Sequence, residues 1–139
     1  MGLPYEAHQD LGRRLFELRY SIRGFIGCLK TTSRPYRVSR ASLRWIDKLR
    51  SLLDEQHYRD QPWGVARSAT YYPPVSIDDE FPPVGDALRA LAPWVNNLEL
   101  VYDGDEPEYR KLTGTLMKTR RWLQELWGSL EVLETEQAR

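Results

Sequence analysis

Residues 112–133 read LTGTLMKTRRWLQELWGSLEVL, and the leucines of this stretch decide the fold. Apolar residues recur at alternating steps of three and four positions, the period that places them on one side of an α-helix. Six leucines and one polar residue, Thr119, occupy that side. The stretch therefore predicts an amphipathic helix over about 105–136 whose apolar face packs against other helices.

The same spacing occurs in three further segments of the chain. It predicts helices over about 5–31, 39–58 and 84–102, and no run of alternating apolar and polar residues competes with this interpretation. Amphipathic helices joined largely by short links bury their apolar faces against one another. We therefore expect an all-α protein, an antiparallel (up-down) four-helix bundle that forms a single domain over residues 1–139.

The link between the second and third predicted helices, residues 59–82, is rich in aromatic residues and proline. It is too long to be a bare connection. In an up-down bundle it lies at the same end as both termini, beside the longer first and fourth helices. We expect it to fold over them and to cover Leu11, Leu126 and Leu130.

The composition limits the chemistry that the chain can carry. There are two histidines and one cysteine, fewer than a dedicated zinc site uses, and the motifs of phosphate-binding and dinucleotide-binding loops are absent. We expect no metal and no cofactor, with Cys28 in the core and His8 in solvent. Neither a secretory signal nor an apolar stretch of membrane-spanning length occurs, which predicts a cytoplasmic protein without a membrane contact.

Charge is unevenly distributed, although 20 basic and 20 acidic residues give a net charge of zero. Residues 1–68 carry 13 basic and 7 acidic residues, and the remainder of the chain carries the reverse. The basic residues concentrate in the stretch 30–50, where spacing by four places several on one helix face. Arg40, Arg44 and Lys48 share this face, and Arg37 of the preceding link is a further candidate for binding.

This basic stretch has three interpretations. In an up-down bundle, the link that carries Arg34 and Arg37 lies at the same end as the link that carries Asp103, Asp105 and Glu106. Neutralisation within the molecule is the first expectation. The alternatives are a face left open for an anionic partner and a face of solvated charge without a partner.

One pattern has a catalytic form, the stretch RSLLDEQH at residues 50–57. The arginine and histidine at its ends lie about two turns apart on one helix face. This spacing resembles the Arg-x4–6-His signature of HEPN ribonucleases, a family of small all-helical proteins that place the motif across a dimer cleft. The resemblance implies that Arg50 stabilises phosphate charge and that His57 acts as acid or base. It covers these eight residues only, and a surface arginine followed by a histidine near the negative end of the helix is the favoured explanation.

The aromatic residues provide candidate contacts for a partner. Trp122 and Trp127 lie on different edges of the fourth helix, so its apolar face is wide and needs cover from the link or from another protein. Trp63 lies in the long link. Tryptophan and arginine are enriched at interface hot spots.

We therefore expect a protein that acts by binding another protein, as an adaptor, regulator or accessory subunit, or that forms a homodimer. A HEPN-like ribonuclease using Arg50 and His57 is the second hypothesis. A nucleic-acid-contacting protein using the basic stretch 30–50 is the third.

Overall fold

The computed structural model describes the backbone of residues 2–76 and 78–137. Side chains are described for the same residues up to Thr135. Over these ranges the chain is helical and forms no strand, which confirms the all-α prediction. Two short 3-10 turns, at Ser68–Thr70 and Pro107–Tyr109, accompany the α-helices. The four helices are α1 (Tyr5–Ile26), α2 (Arg34–Asp60), α3 (Val84–Val101) and α4 (Arg110–Gln137).

Local capping explains where the helix ends differ from the prediction. α2 begins earlier than expected because the Ser33 hydroxyl accepts a hydrogen bond from the backbone N–H of Tyr36 (3.3 Å), with Pro35 in the first turn. α1 ends at Ile26 and turns follow it. Cys28 therefore lies beyond the helix and is exposed, and its predicted core position was wrong.

Contacts between α1 and α2 show that the two helices are antiparallel. His8, near the start of α1, lies 2.8 Å from Asp60 at the end of α2. Farther along, Arg19 Nε donates to Asp47 Oδ1 at 2.6 Å. As the residue number rises in α1 it falls in α2, so the short link 27–33 reverses the chain.

α3 runs antiparallel to α1 as well, on its other side. The Trp94 indole N–H donates to Asp10 Oδ2 at 2.7 Å, and the Ser21 hydroxyl donates to the carbonyl oxygen of Pro82 at 2.6 Å. α3 is therefore parallel to α2. The link between them, residues 61–83, has to carry the chain from one end of the bundle to the other.

α4 completes the bundle diagonally from α1. It is antiparallel to α2, since the Ser42 hydroxyl donates to the carbonyl oxygen of Trp122 (3.3 Å) and Arg34 pairs with Glu125 (2.7 Å). On its other side, Arg120 pairs with Glu99 of α3. The helices thus run up, down, down and up, and the predicted up-down alternation was wrong because the 61–83 link spans the bundle.

This link crosses α1. The crossing point is Gly12, where a Cβ atom would overlap the carbonyl oxygen of Thr70. Beyond it, the Phe81 ring stacks on Tyr20 with 5.1 Å between ring centroids. Among the described residues, the side-chain hydrogen bonds and ring contacts that the link makes with the rest of the chain are with α1, α2 and Leu3. None joins it to α4, where cover of Leu126 and Leu130 was expected, while Leu11 of α1 is fully buried.

The core is built from the predicted apolar faces of all four helices together with Tyr71 of the link. Thr119, the polar residue on the leucine face of α4, is also buried. Its hydroxyl donates to the carbonyl oxygen of Thr115 (2.8 Å) and lies 3.3 Å from that of Trp45. A threonine is tolerated there because a hydrogen bond compensates its burial.

Candidate binding groove

Four arginines line a groove of about 740 Å³ between the C-terminal half of α1 and the N-terminal half of α2. On each helix two arginines are spaced by four residues, so they face the same side. Because α1 and α2 are neighbours, the two pairs face the same space. The charged residues of this basic groove are Arg19, Arg23, Arg40, Arg44 and Asp47.

The basic groove contains more positive charge than its single carboxylate can balance. Asp47 Oδ1 accepts from Arg19 (2.6 Å) and lies 3.5 Å from Nη1 of Arg50, so two arginines share it. Among the side chains that the structure describes, no carboxylate oxygen lies within 4.0 Å of Arg23, Arg40 or Arg44. Three guanidinium groups therefore face solvent without an ion pair.

The expected neutralisation by the acidic link at 103–106 was wrong. That link joins α3 to α4, and it lies at the opposite end of the bundle from the 27–33 link. Arg34 pairs instead with Glu125 of α4, while Arg37 is exposed. The error follows from the reversed direction of α3.

Aromatic rings flank the basic groove on both sides. The guanidinium carbons of Arg19 and Arg23 lie 5.5 and 5.7 Å from the centroid of the Tyr20 ring. The guanidinium carbon of Arg44 lies 6.0 Å from the centroid of the Trp45 ring. Lys48, which was predicted for the basic face, does not line the basic groove, and its ammonium group lies 4.4 Å from the same ring. Cations within about 6 Å of a ring face are attracted to it. These rings restrict the side chains that present the positive charge.

Arg50, the arginine of the ribonuclease-like motif, lies apart from this exposed surface. Its side chain is buried, and its Nε and Nη2 groups donate to the carbonyl oxygen of Tyr71 at 3.1 and 2.7 Å. The guanidinium also lies 4.5 Å from the Tyr72 ring. Arg50 therefore holds the 61–83 link against α2.

His57, the other residue of the motif, is buried as well. Its ring lies 4.5 Å from the ring of His8 and 5.1 Å from that of Tyr5, between ring centroids. Burial, reinforced by His8, lowers the pKa of His57. A ribonuclease needs this histidine and Arg50 together in an accessible cleft. In the structure both side chains are buried, and the arginine donates to a backbone carbonyl oxygen. Their placement therefore does not support the ribonuclease hypothesis.

A buried polar cluster, which the sequence did not reveal, surrounds His8 at this end of the bundle. His8 is buried, contrary to the solvent position predicted for it. Its Nδ1 lies 2.6 Å from the Tyr71 hydroxyl, and its Nε2 lies 2.8 Å from Asp60 Oδ2. The Tyr102 hydroxyl donates to the same carboxylate oxygen.

Asp60 is the acceptor at the centre of the buried polar cluster. Gln56 Nε2 donates to Oδ1 at 2.7 Å, and the backbone N–H of Leu3 donates to Oδ2 at 3.1 Å. Burial alone would raise the pKa of Asp60, but these hydrogen bonds and those from His8 and Tyr102 outweigh it and hold the pKa below its ordinary value. The cluster unites α1, α2, α3 and the link, so no local pattern in the sequence could indicate it.

The three predicted tryptophans differ in exposure. Trp63 is 100% exposed, in a turn where Gly64 adopts a φ of +83°. Trp122 and Trp127 are half-buried, and the Trp127 indole N–H donates to Glu131 at 2.7 Å. Only Trp63 of the three presents its whole side chain to a partner.

No group of three or more histidine, cysteine, aspartate or glutamate side chains within residues 2–76 and 78–135 is arranged to hold a metal ion. None of the helices, as far as the structure describes them, has the length and apolar content needed to cross a membrane. Comparison of the chain with protein-family models, curated proteins and solved structures finds no match.

Proposed function

We propose that this protein acts by binding another protein, and that the basic groove receives an acidic segment of that partner. One observation carries the proposal: arginines from two antiparallel helices line a single groove, and three of them have no carboxylate within 4.0 Å among the described side chains. Guanidinium groups bind carboxylates through two parallel hydrogen bonds. Arg40 and Arg44 were the predicted part of this surface; Arg19 and Arg23 complete it.

The spacing of the arginines sets the spacing that the carboxylates of a partner need. Arg40 and Arg44 lie one helical turn apart, about 6 Å along the axis. Carboxylates four residues apart on a partner helix have the same repeat. A helix with a row of such carboxylates can therefore pair with both arginines at once.

Charge favours a protein over a nucleic acid as the occupant. The chain has a net charge of zero and an acidic C-terminal half, whereas nucleic-acid-binding domains are usually strongly basic. The nucleic-acid hypothesis uses the same surface and becomes an outcome of the test.

Trp63 supplies an apolar contact for the same kind of partner. A fully exposed tryptophan contributes nothing to the core, and a partner that buries it gains a large apolar area. Tyr58 and Val65 nearby are also exposed. Trp63 therefore serves as an anchor residue on the protein surface.

The test uses a fluorescein-labelled helical peptide with glutamates at every fourth position on one face. A second peptide of the same composition carries its glutamates scattered around the helix, and a single-stranded RNA of equal charge is the third probe. Fluorescence anisotropy should show that the first peptide binds at least tenfold more tightly than the other two. Arg40→Glu/Arg44→Glu should abolish this difference.

The matched control is Arg59→Glu/Arg110→Glu, which makes the same change in net charge at exposed positions outside the basic groove. It should bind the first peptide like the original protein. Tighter binding of RNA, with a steep loss of affinity on addition of salt, would support the nucleic-acid hypothesis instead. Equal binding of the two peptides would reject recognition by spacing.

A further inference from the structure

An acidic segment, residues 78–80, lies on the surface beside α1, where Asp79 and Glu80 line a groove together with Arg13. Its residues are Asp78, Asp79 and Glu80, and all three are exposed. Asp79 also orders the turn, since its carboxylate accepts from the backbone N–H of Ser76 at 2.8 Å. In the part of the chain whose side chains are described, no basic group lies within 4.0 Å of these carboxylates.

Tyr20 connects the acidic segment to the basic groove. The Phe81 ring, which follows the acidic segment directly, stacks on Tyr20 with an interplanar angle of 16°. Arg19 and Arg23, from the basic groove, lie over the same tyrosine ring. Two surfaces of opposite charge are therefore neighbours on the outer side of α1.

The acidic segment is held away from the basic groove of its own molecule. The ring of Phe81 packs against Phe16 and Tyr20, and the carbonyl oxygen of Pro82 accepts a hydrogen bond from Ser21. These contacts fix the end of the acidic segment toward the α3 side of α1, whereas the basic groove lies on the α2 side. Both charges remain available to a second molecule.

We infer that the acidic partner of the basic groove is a second copy of this chain, which presents its acidic segment. When a positive and a negative surface lie side by side, a two-fold rotation brings the positive surface of each copy onto the negative surface of the other. Such a combined surface is self-complementary. The zero net charge adds no overall repulsion between copies. This inference rests on the proposed function and names the partner.

The experiment measures the mass of the full chain by sedimentation equilibrium at about 20 mM and about 500 mM salt, where exposed charges are respectively weakly and strongly screened. The original protein should dimerise at low salt, and its dissociation constant should rise at least tenfold at high salt. Arg40→Glu/Arg44→Glu should be monomeric, because both of its surfaces are negative. Asp78→Lys/Glu80→Lys should be monomeric for the opposite reason, and it leaves Asp79 in its turn.

Mixing the two variants provides the decisive measurement. In a mixed pair each negative groove meets a positive segment and each negative segment meets a positive groove, so equimolar mixing should restore a dimer. The same four substitutions in one chain should also restore it. Circular dichroism checks that each variant is folded.

The outcomes distinguish failure of the dimer inference from failure of the proposed function. A chain that binds the glutamate peptide but stays monomeric at low salt overturns this inference and leaves the proposed function intact. A chain that does neither overturns both. A dimer that persists in each variant alone, or a folded mixture that stays monomeric, also overturns the inference.

Discussion

The two ends of the α1–α2 pair each carry a paired carboxylate, but they use it in different ways. In the buried polar cluster, His8 and Asp60 lie 2.8 Å apart with side chains 0% and 3% exposed. In the basic groove, Arg19 and Asp47 lie 2.6 Å apart with side chains 22% and 46% exposed. The distances are similar, but water reaches only the second pair. Burial therefore makes the first pair part of the fold, while exposure leaves the second to exchange partners.

Removal of one member of each pair should separate these roles most strongly. Asp60→Ala leaves His8, Tyr102, Gln56 and a backbone N–H without their acceptor, and we expect a loss of about 3–5 kcal/mol in the free energy of unfolding. Arg19→Ala breaks the exposed pair and leaves Asp47 beside the buried Arg50, so it should cost about 1 kcal/mol or less. Urea unfolding measures both. Equal losses would show that burial does not distinguish the two pairs.

The 61–83 link crosses α1 between the buried polar cluster and the basic groove, and it contacts α1 at Gly12. Gly12→Ala places a Cβ against the Thr70 carbonyl oxygen, and we expect a loss of about 1–3 kcal/mol from the displaced backbone. Gly24→Ala is the control, because it lies in the same helix and its Cβ would meet no atom within 4 Å. It should stabilise the protein by up to about 1 kcal/mol. Similar effects at both positions would contradict a tight crossing.

Acid should weaken the buried end before it affects the exposed one. The pKa of His57 in the folded protein lies below its ordinary value of 6.5, so the unfolded chain takes up the proton first as the pH falls. The free energy of unfolding should therefore decrease below about pH 6.5, by at most about 1.4 kcal/mol per pH unit for one proton.

Asp60 contributes in a separate and lower pH range. Its pKa is below the ordinary value of 3.8, so the stability it provides is present above that value and is lost as the pH falls through its folded pKa.

Urea unfolding at about pH 7.5 and about pH 5.5 isolates the His57 contribution. His57→Gln should remove the difference between these two pH values. A difference that remains in the variant would assign the effect to another group.

The smallest effect on stability belongs to the basic groove. Arg40→Glu/Arg44→Glu alters two exposed side chains without ion pairs among the described residues, so the free energy of unfolding should change by less than about 0.5 kcal/mol. The same variant should lose peptide binding. A large loss of stability would mean that these arginines support the fold instead of a partner.

Sequence spacing predicted the helices well, but it predicted their arrangement poorly. All four helices were found, with errors at ends such as that of α2, where a Ser33 cap extends the helix beyond its apolar stripe. The up-down alternation was wrong because helix direction depends on the route of the 61–83 link. That route depends on contacts such as those of Gly12 and Arg50 with the link.

Sequence spacing predicted only the part of the binding surface that lies on a single helix. Arg40 and Arg44 share a face by local spacing, and this much follows from helical geometry. Arg19 and Arg23 were missed because they come from another helix. The expected acidic neutraliser at 103–106 was misplaced because α3 runs in the opposite direction to the one assumed.

The sequence by itself determines the helices because their signal is local. An apolar residue at every third or fourth position is recognised from a few neighbouring residues. Burial of His8 and exposure of three arginines follow from contacts between residues that lie far apart in the chain, such as His8 with Asp60 and Tyr71. Such contacts form only when the direction of each helix and the course of the link are established. The division between a fold-stabilising polar cluster and a charged binding surface is therefore a property of the assembled bundle.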